Sequence, residues 1–294
     1  MSEPIRIKLD DPGVTADDER AVVEVLRSGR LVSGPRVAAF EEALAEAAQR
    51  RFAVAVSSGT AALYIAMESL GVGPGGTVVV PALTFPAPAV VASYLGARVR
   101  VCDVDAQTLN LSPATLAPAL GGDVTLVVAI DQFGNPAPVP ELERDLAARG
   151  VGVLVDAACS LGSSLGGRPC GAFGVGAIYS FHPRKVITTG EGGVVLTDDE
   201  RVADRARVTR NIGMDGGRFR ALGLNLRPSE IGAALGMSQL GRLEETLARR
   251  RRLAARYRAA LGELRFQQPL SGAEHNVQTL VAVLPAGCGP RDRG

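Results

Sequence analysis

Short apolar runs alternate along the chain with longer stretches whose apolar residues return every three to four positions. FAVAV, beginning at Phe52, TVVVPA, ARVRVCDVD, TLVVAID and GVGVLVDAA read as buried strands. Between them lie amphipathic segments. TADDERAVVEVLRSG predicts a helix with Thr15 as N-cap, acids in its first turn and Gly29 as its stop. A second helix is expected from about Val37 to Arg51, a third opens at Gly59-Thr60, and a fourth runs from about Pro86 to Leu95. PELERDLAARG predicts another. AIYSF and GGVVLTDD read as a strand pair on either side of Lys185. From Ser229 to about Leu261 the pattern is helical throughout, and TLVAVLP is one further strand before a Pro/Gly-rich tail. Such alternation predicts an α/β fold, a mostly parallel sheet between layers of helices.

Composition narrows the function classes. The 294 residues are 46% hydrophobic and 21% charged, as in a soluble globular protein. A net charge of +1 gives no support for a nucleic-acid or membrane partner. Cys102, Cys159, Cys170 and Cys288 show no metal-ligand spacing, and there are only two histidines. The pattern fits a reducing cytoplasm. MSEPIRIKLDDPG lacks the apolar core of a signal peptide, and no apolar run reaches membrane-spanning length. The basic run Arg249 to Arg252, flanked by Glu244 and Glu245, reads as a solvated helix face. GVGPGG, Gly71 to Gly76, matches a dinucleotide fingerprint, but it follows a helix and precedes a strand, the reverse of what a pyrophosphate cradle needs.

One residue choice stands out. Of 32 basic side chains only Lys8 and Lys185 are lysine. An amine can lose its proton and attack a carbonyl, whereas a guanidinium stays charged. Two other segments share this potential for chemistry. SSGTAAL, Ser57 to Leu63, sits at a strand-to-helix junction, where free N–H groups favour a phosphate and Gly59 admits close approach. It also reads as a plain N-cap. In VGVLVDAA, Asp156 lies at the carboxyl end of a buried strand and needs a partner, either a salt bridge or a protonated ring nitrogen. A Schiff-base lysine, a phosphate cradle and a buried carboxylate are the three contacts pyridoxal phosphate requires. Phe85, after TVVVPALT, is placed to cover the ring face.

SSGTAAL, LGVGPGGTVVVPALTFPA, VLVDAACS, YSFHPRKVITTGEGGVVLTDD and GLNLRPSEIGAALGMSQL, in this order, resemble the DegT/DnrJ/EryC1/StrS group. These are fold-type I pyridoxal-phosphate aminotransferases that act mainly on nucleotide-linked keto-sugars. The resemblance covers roughly residues 10 to 265 and is most specific around Lys185. It implies Lys185 as the Schiff-base lysine and acid/base, and Asp156 as partner of the pyridinium nitrogen. Ser180, Gly59 and Thr60 are implied at the phosphate, and Phe85 on the ring. Asn225 is implied to reach the phosphate of a neighbouring subunit, hence a homodimer with shared sites. His182, in the same loop as Lys185, reads as a packing histidine rather than a catalytic one. A large cofactor-binding domain is expected over residues 1–240. An incomplete small C-terminal α/β domain is expected over 241–294, since relatives run further.

The residues also depart from the family's pattern. Cys159 stands where relatives carry Gln or His against the ring hydroxyl, and Asp131 in DQFGNP stands where a His is common. The expected function is transfer of an amino group from an amino acid, glutamate or glutamine, to a keto-sugar nucleotide. The alternatives are a cofactor-binding but inactive or regulatory member, motivated by Cys159 and the short C-terminus, and the family's dehydratase branch, against which Lys185 argues.

Overall fold

Runs of Val, Ala and Ile too short for helices pair into one sheet at the centre of the protein. The computed structural model describes residues 11–285, so Lys8, Cys288 and the tail from 286 lie outside the described residues. The strands are β1 (Phe52–Val56), β2 (Thr77–Pro81), β3 (Arg98–Cys102), β4 (Val124–Ile130), β5 (Gly152–Asp156), β6 (Ser164–Leu165), β7 (Arg168–Pro169), β8 (Gly176–Ser180), β9 (Gly193–Thr197), β10 (Met214–Asp215), β11 (Arg218–Phe219), β12 (Arg265–Phe266), β13 (Ala273–Glu274) and β14 (Ala282–Val283). The helices are α1 (Ala16–Ser28), α2 (Pro35–Ala47), α3 (Gly59–Ser69), α4 (Ala87–Tyr94), α5 (Pro113–Leu116), α6 (Val139–Ala147), α7 (Glu200–Arg210), α8 (Glu230–Leu240) and α9 (Leu243–Ala260).

The main sheet has the order β1-β9-β8-β5-β4-β2-β3, and only β9 runs against the rest. Both faces are covered, so its central strands are apolar without alternation, yet successive residues still go to opposite sides. Val127, Val153 and Val155 join one core with Phe40 and Leu44 of α2 and Leu142 and Leu146 of α6. Val128 and Leu154 join the other with Ile65 and Ala66 of α3 and Val91 of α4. Asp156 is in register between Ile130 and Ile178, so the last residue of β5 is a carboxylate between two isoleucines. The GVGPGG segment is a helix-to-strand turn between α3 and β2, with Gly71 and Gly75 at positive φ.

Caps follow the expected chemistry. Thr15 and Asp18 form a reciprocal capping box, and Gly29 closes α1 in the left-handed conformation. The N-terminus of α2 is capped from a distance. Buried Glu230 accepts N–H bonds from Gly34 (3.0 Å), Arg36 (3.0 Å) and Val37 (2.8 Å). A Cβ at residue 34 would lie 2.6 Å from the Glu230 carboxylate, which explains the glycine there. Asp18 is buried too. Burial favours its neutral form, but hydrogen bonds from Arg242 and Ser238 outweigh this and hold the carboxyl well below its usual range.

Several elements differ from expectation. Helix α2 stops at Ala47 rather than near Arg51, because Gln49 turns left-handed (φ 52°). That turn frees the Arg50 guanidinium to bond Gly171 O (2.8 Å) and Asp198 (2.7 Å). The helix expected from Ser229 to Leu261 is two, broken at Gly241-Arg242, where Arg242 reaches back to Asp18. TLVAVLP contributes only β14, paired with the equally short β12. The basic run is not simply a solvated face. Arg250 donates to the carbonyls of Val277 (3.3 Å) and Gln278 (3.2 Å), and Arg251 to that of His275 (3.4 Å).

Glu230→Ala removes one buried acceptor from three N–H groups, and leaving such donors unsatisfied costs on the order of 3 kcal/mol. Urea denaturation should show that loss, with Glu230→Gln, which keeps one acceptor oxygen, losing less.

Candidate functional site

Five of the parallel strands end at one edge of the sheet, and the segments that leave them enclose a cavity of about 700 Å³. Ser58, Gly59 and Thr60 follow β1. Thr84 and Phe85 follow β2, Asp131 and Gln132 follow β4, Ala158 and Cys159 follow β5, and Ser180 closes β8. His182, Arg184, Lys185 and Glu191 line it from the loop between β8 and β9. This volume suits a cofactor-sized ligand, and carboxyl strand ends are where open α/β sheets hold one.

Lys185 stands in a turn, its N–H bonded to His182 O (2.8 Å), while Thr188 N–H reaches Gln239 of α8 (2.9 Å). Its Nζ lies 3.1 Å from Cys159 Sγ, the one hydrogen bond the amine makes among the described residues. Asp156 is buried on the cavity floor, and its Oδ1 accepts from Ala158 N–H (3.1 Å). No side-chain hydrogen bond or ion pair reaches it among the described residues. Burial pushes its carboxyl up from the usual range, and the Ala158 N–H and the Lys185 charge act against that. Burial also pushes the Cys159 thiol up, opposed by Lys185.

Asp131 is a second buried acid behind this floor. It accepts from Ser160 Oγ (2.6 Å) and Ala137 N–H (2.8 Å). Burial nevertheless raises it to about 6, with the Asp156 charge adding to the effect. The opposite wall is the start of α3. Ser58 Oγ caps Ala61 N–H (3.0 Å), and the N–H groups of Gly59 and Thr60 have no intrahelical acceptor. The glycine is sterically required, since a Cβ there would stand 2.8 Å from Ser180 Cβ.

The expected residues therefore gather, with one exception. Gly59, Thr60, Phe85, Asp156, Cys159, Ser180 and Lys185 all line one cavity. The Phe85 ring stands at its rim, 74% exposed. Asn225 does not line it. It is exposed and bridges to Asn211, next to Leu226, whose carbonyl accepts from Ser57 N–H (2.9 Å). His182 lines the cavity from the loop, its Nδ1 accepting from Arg184 N–H (3.2 Å).

Sequence reasoning missed a clamp behind the site. Buried Asn276 donates through Nδ2 to Cys159 O and Leu161 O, both at 2.8 Å, and its N–H bonds Ser163 Oγ (2.9 Å). Gln278 bonds the Arg184 carbonyl, and Thr279 N–H reaches Phe133 O (3.2 Å). One strand of chain from after α9 thus holds the loops that carry Cys159, Lys185 and Asp131. A hint lay in the DQFGNP turn. Phe133 has φ 63°, and a Cβ at Gly134 would collide with Asn276 Oδ1 at 2.0 Å.

Comparison with known proteins identifies the family and agrees with the fold. A model described as the DegT/DnrJ/EryC1/StrS aminotransferase family matches residues 12–288. GDP-perosamine synthase of Caulobacter vibrioides is 33% identical over 268 residues, which cover 90% of this chain and 72% of that protein. The crystal structure of an aminotransferase, TlmJ from Streptoalloteichus hindustanus, superposes with a TM-score of 0.89 at 34% identity, over 93% of this chain and 77% of the other. DesI, determined in the presence of its TDP-sugar product, superposes with a TM-score of 0.84 at 32% identity, over 91% and 69%.

Asp131 carries a pH signature. Its folded-state value lies above the unfolded one, so the folded chain holds the extra proton, and stability falls as pH rises from about 4 through about 6. Asp131→Asn cannot ionise and escapes that loss. The stability difference between variant and parent, measured by urea denaturation of the cofactor-free protein, should shift in the variant's favour by on the order of 2 kcal/mol across this window.

Proposed function

The chain belongs to the DegT/DnrJ/EryC1/StrS aminotransferase family, and from that footing we propose that it transfers an amino group from glutamate or glutamine to a keto-sugar carried on a nucleotide. The enzyme class is that of a pyridoxal-phosphate-dependent aminotransferase. The nucleotide-sugar acceptor is supported by two relatives, one a GDP-perosamine synthase and one crystallised with a TDP-sugar product.

A single observation carries the reading. An amine, a desolvated carboxylate and a helix N-terminus open into the same cavity, on different walls. The residues fit pyridoxal phosphate in charge and in order. Asp156 is buried with one N–H bond and no cation bonded to it among the described residues, so it favours a positively charged group beside it. The first turn of α3, with Thr60 and Ser180 beside it, favours an anion. When bound, the cofactor supplies an aldehyde that takes up the donor's amino group and a ring that accepts the electrons of the broken Cα–H bond.

The chain's own residues divide the remaining work. The Lys185 amine would hold the cofactor's aldehyde, and it is the base placed to move the substrate proton. Asp156 would keep the ring nitrogen protonated through its charge. Cys159 Sγ lies 3.1 Å from the same amine, and the family resemblance would set it against the ring hydroxyl. Phe85, at the rim of the cavity, would cover the ring face. Asn225 faces away from this chain's own cavity, which supports the reading that it serves the site of a partner in a homodimer.

The purified chain with pyridoxal phosphate should show the absorbance of a lysine adduct. That band should be abolished in Lys185→Ala, and glutamate or glutamine should convert bound cofactor to its amine form in the parent alone. A band that survives the substitution overturns the role of Lys185. Asn225→Ala should weaken cofactor retention about ten-fold, the low end of what one hydrogen bond to a charged group contributes, in a protein that sediments as a dimer.

A further inference from the structure

We propose that Arg184 anchors the α-carboxylate of the amino donor, so that the site takes its amino group from α-amino acids. The inference rests on the aminotransferase reading above and names the residue that recognises the donor. Arg184 is the only arginine that lines the cavity among the described residues. Its hydrogen bonds among them all go through the backbone: the N–H donates to His182 Nδ1 (3.2 Å) and the carbonyl accepts from Gln278. The guanidinium itself is left unpaired there, whereas those of Arg205, Arg210 and Arg242 each meet a carboxylate. The turn that bonds Lys185 N–H to His182 O (2.8 Å) lets two successive residues, Arg184 and Lys185, line one cavity. A fixed backbone carrying an unpaired planar fork suits a carboxylate, because both oxygens are met at once.

Charge decides where a donor can lie. An α-amino acid must bring its amine to the group that Lys185 holds, and a single carbon separates that amine from the carboxylate. The carboxylate therefore comes to rest near Lys185, on a wall that tolerates negative charge. The floor does not, since Asp156 and Asp131 are buried acids there. Glu191 also repels an anion, and its recorded ion-pair partner is His182 (4.0 Å). The first turn of α3 favours an anion, but that wall is the one fitted to the cofactor's phosphate. The loop between β8 and β9 remains, and Arg184 stands on it next to Lys185. With the ring at Asp156 and the phosphate at α3, Arg184 is the guanidinium left over for the donor in the loaded site. Glutamate and glutamine differ in side-chain charge and share the α-carboxylate, so this anchor serves both alike.

The test uses the full chain loaded with pyridoxal phosphate. Arg184 is exposed, so Arg184→Gln should keep the fold and the lysine-adduct absorbance. Rapid-mixing conversion of the bound cofactor to its amine form should show the donor dissociation constant raised about ten- to a hundred-fold, the range for hydrogen bonds to a charged group. Glutamate and glutamine should suffer the same loss, while the limiting rate changes little. α-Methylglutamate has no Cα hydrogen and cannot react onward; its binding, titrated by absorbance, should weaken by the same factor. Arg184→Glu should weaken it further. A nucleotide-linked keto-sugar should discharge the amine form with the same concentration dependence in parent and Arg184→Gln. A loss confined to glutamate would place the guanidinium on the side-chain carboxylate, and a loss confined to the keto-sugar would place it on the nucleotide's phosphates; either overturns the proposal. So does an unchanged donor dissociation constant, or loss of the lysine-adduct absorbance in Arg184→Gln, which would assign the residue to the cofactor. A parent that converts with neither donor removes the proposed function and this role together, whereas conversion indifferent to Arg184→Gln removes this role alone.

Discussion

A carboxylate held out of water at the end of a central strand is the constraint to which the site answers. Asp156 lies in register between Ile130 and Ile178, and its recorded hydrogen bond is the Ala158 N–H. Taking a charge out of water without a matched partner costs several kcal/mol, roughly. The cavity floor is therefore a place where positive charge is favoured, while the first turn of α3 on the opposite wall favours negative charge. A ligand with a cationic ring at one end and a phosphate at the other is oriented before any specific contact forms. Lys185, on a third wall, then meets whatever lies between.

Holding three walls at fixed separation requires more than the sheet. The loops after β4, β5 and β8 are bound together from behind by residues 275–279, with Asn276 bonded to the carbonyls of Cys159 and Leu161. That segment is in turn held by Arg250 and Arg251 of α9. A basic run that resembles a solvated face thus spends half of its guanidinium groups on backbone carbonyls. Burial of such carbonyls demands donors, and an arginine can satisfy two at once. The helix break at Gly241-Arg242 belongs to the same logic, since it aims Arg242 at buried Asp18 and lets α9 leave α8 at a new angle.

The contact between Cys159 and Lys185 gives this site a character of its own. A thiol beside the amine neither competes for the amine's charge as a carboxylate would nor fixes it as an amide would. It leaves the nitrogen available to a ligand in the cavity.

Most of the secondary structure was legible along the chain, because strands, caps and turns are set by neighbouring side chains and local hydrogen bonds. Thr15, Gly29, the central strands and the opening of α3 at Gly59 are of this kind. So was the set Lys185, Asp156 and Gly59, since an amine, an acid at a strand end and a strand-to-helix turn each carry their chemistry in residue type, whereas Ser180 came only with the family resemblance. What the tertiary structure alone decided is who meets whom. Glu230 caps a helix almost two hundred residues earlier, Asn276 clamps a loop 117 residues away, and Cys159 lies against Lys185 across 26 residues. No local pattern records such pairs, because their energies depend on strand order and on loops closing in space, and side-chain type by itself states only what a residue can bond, not what the fold brings to it.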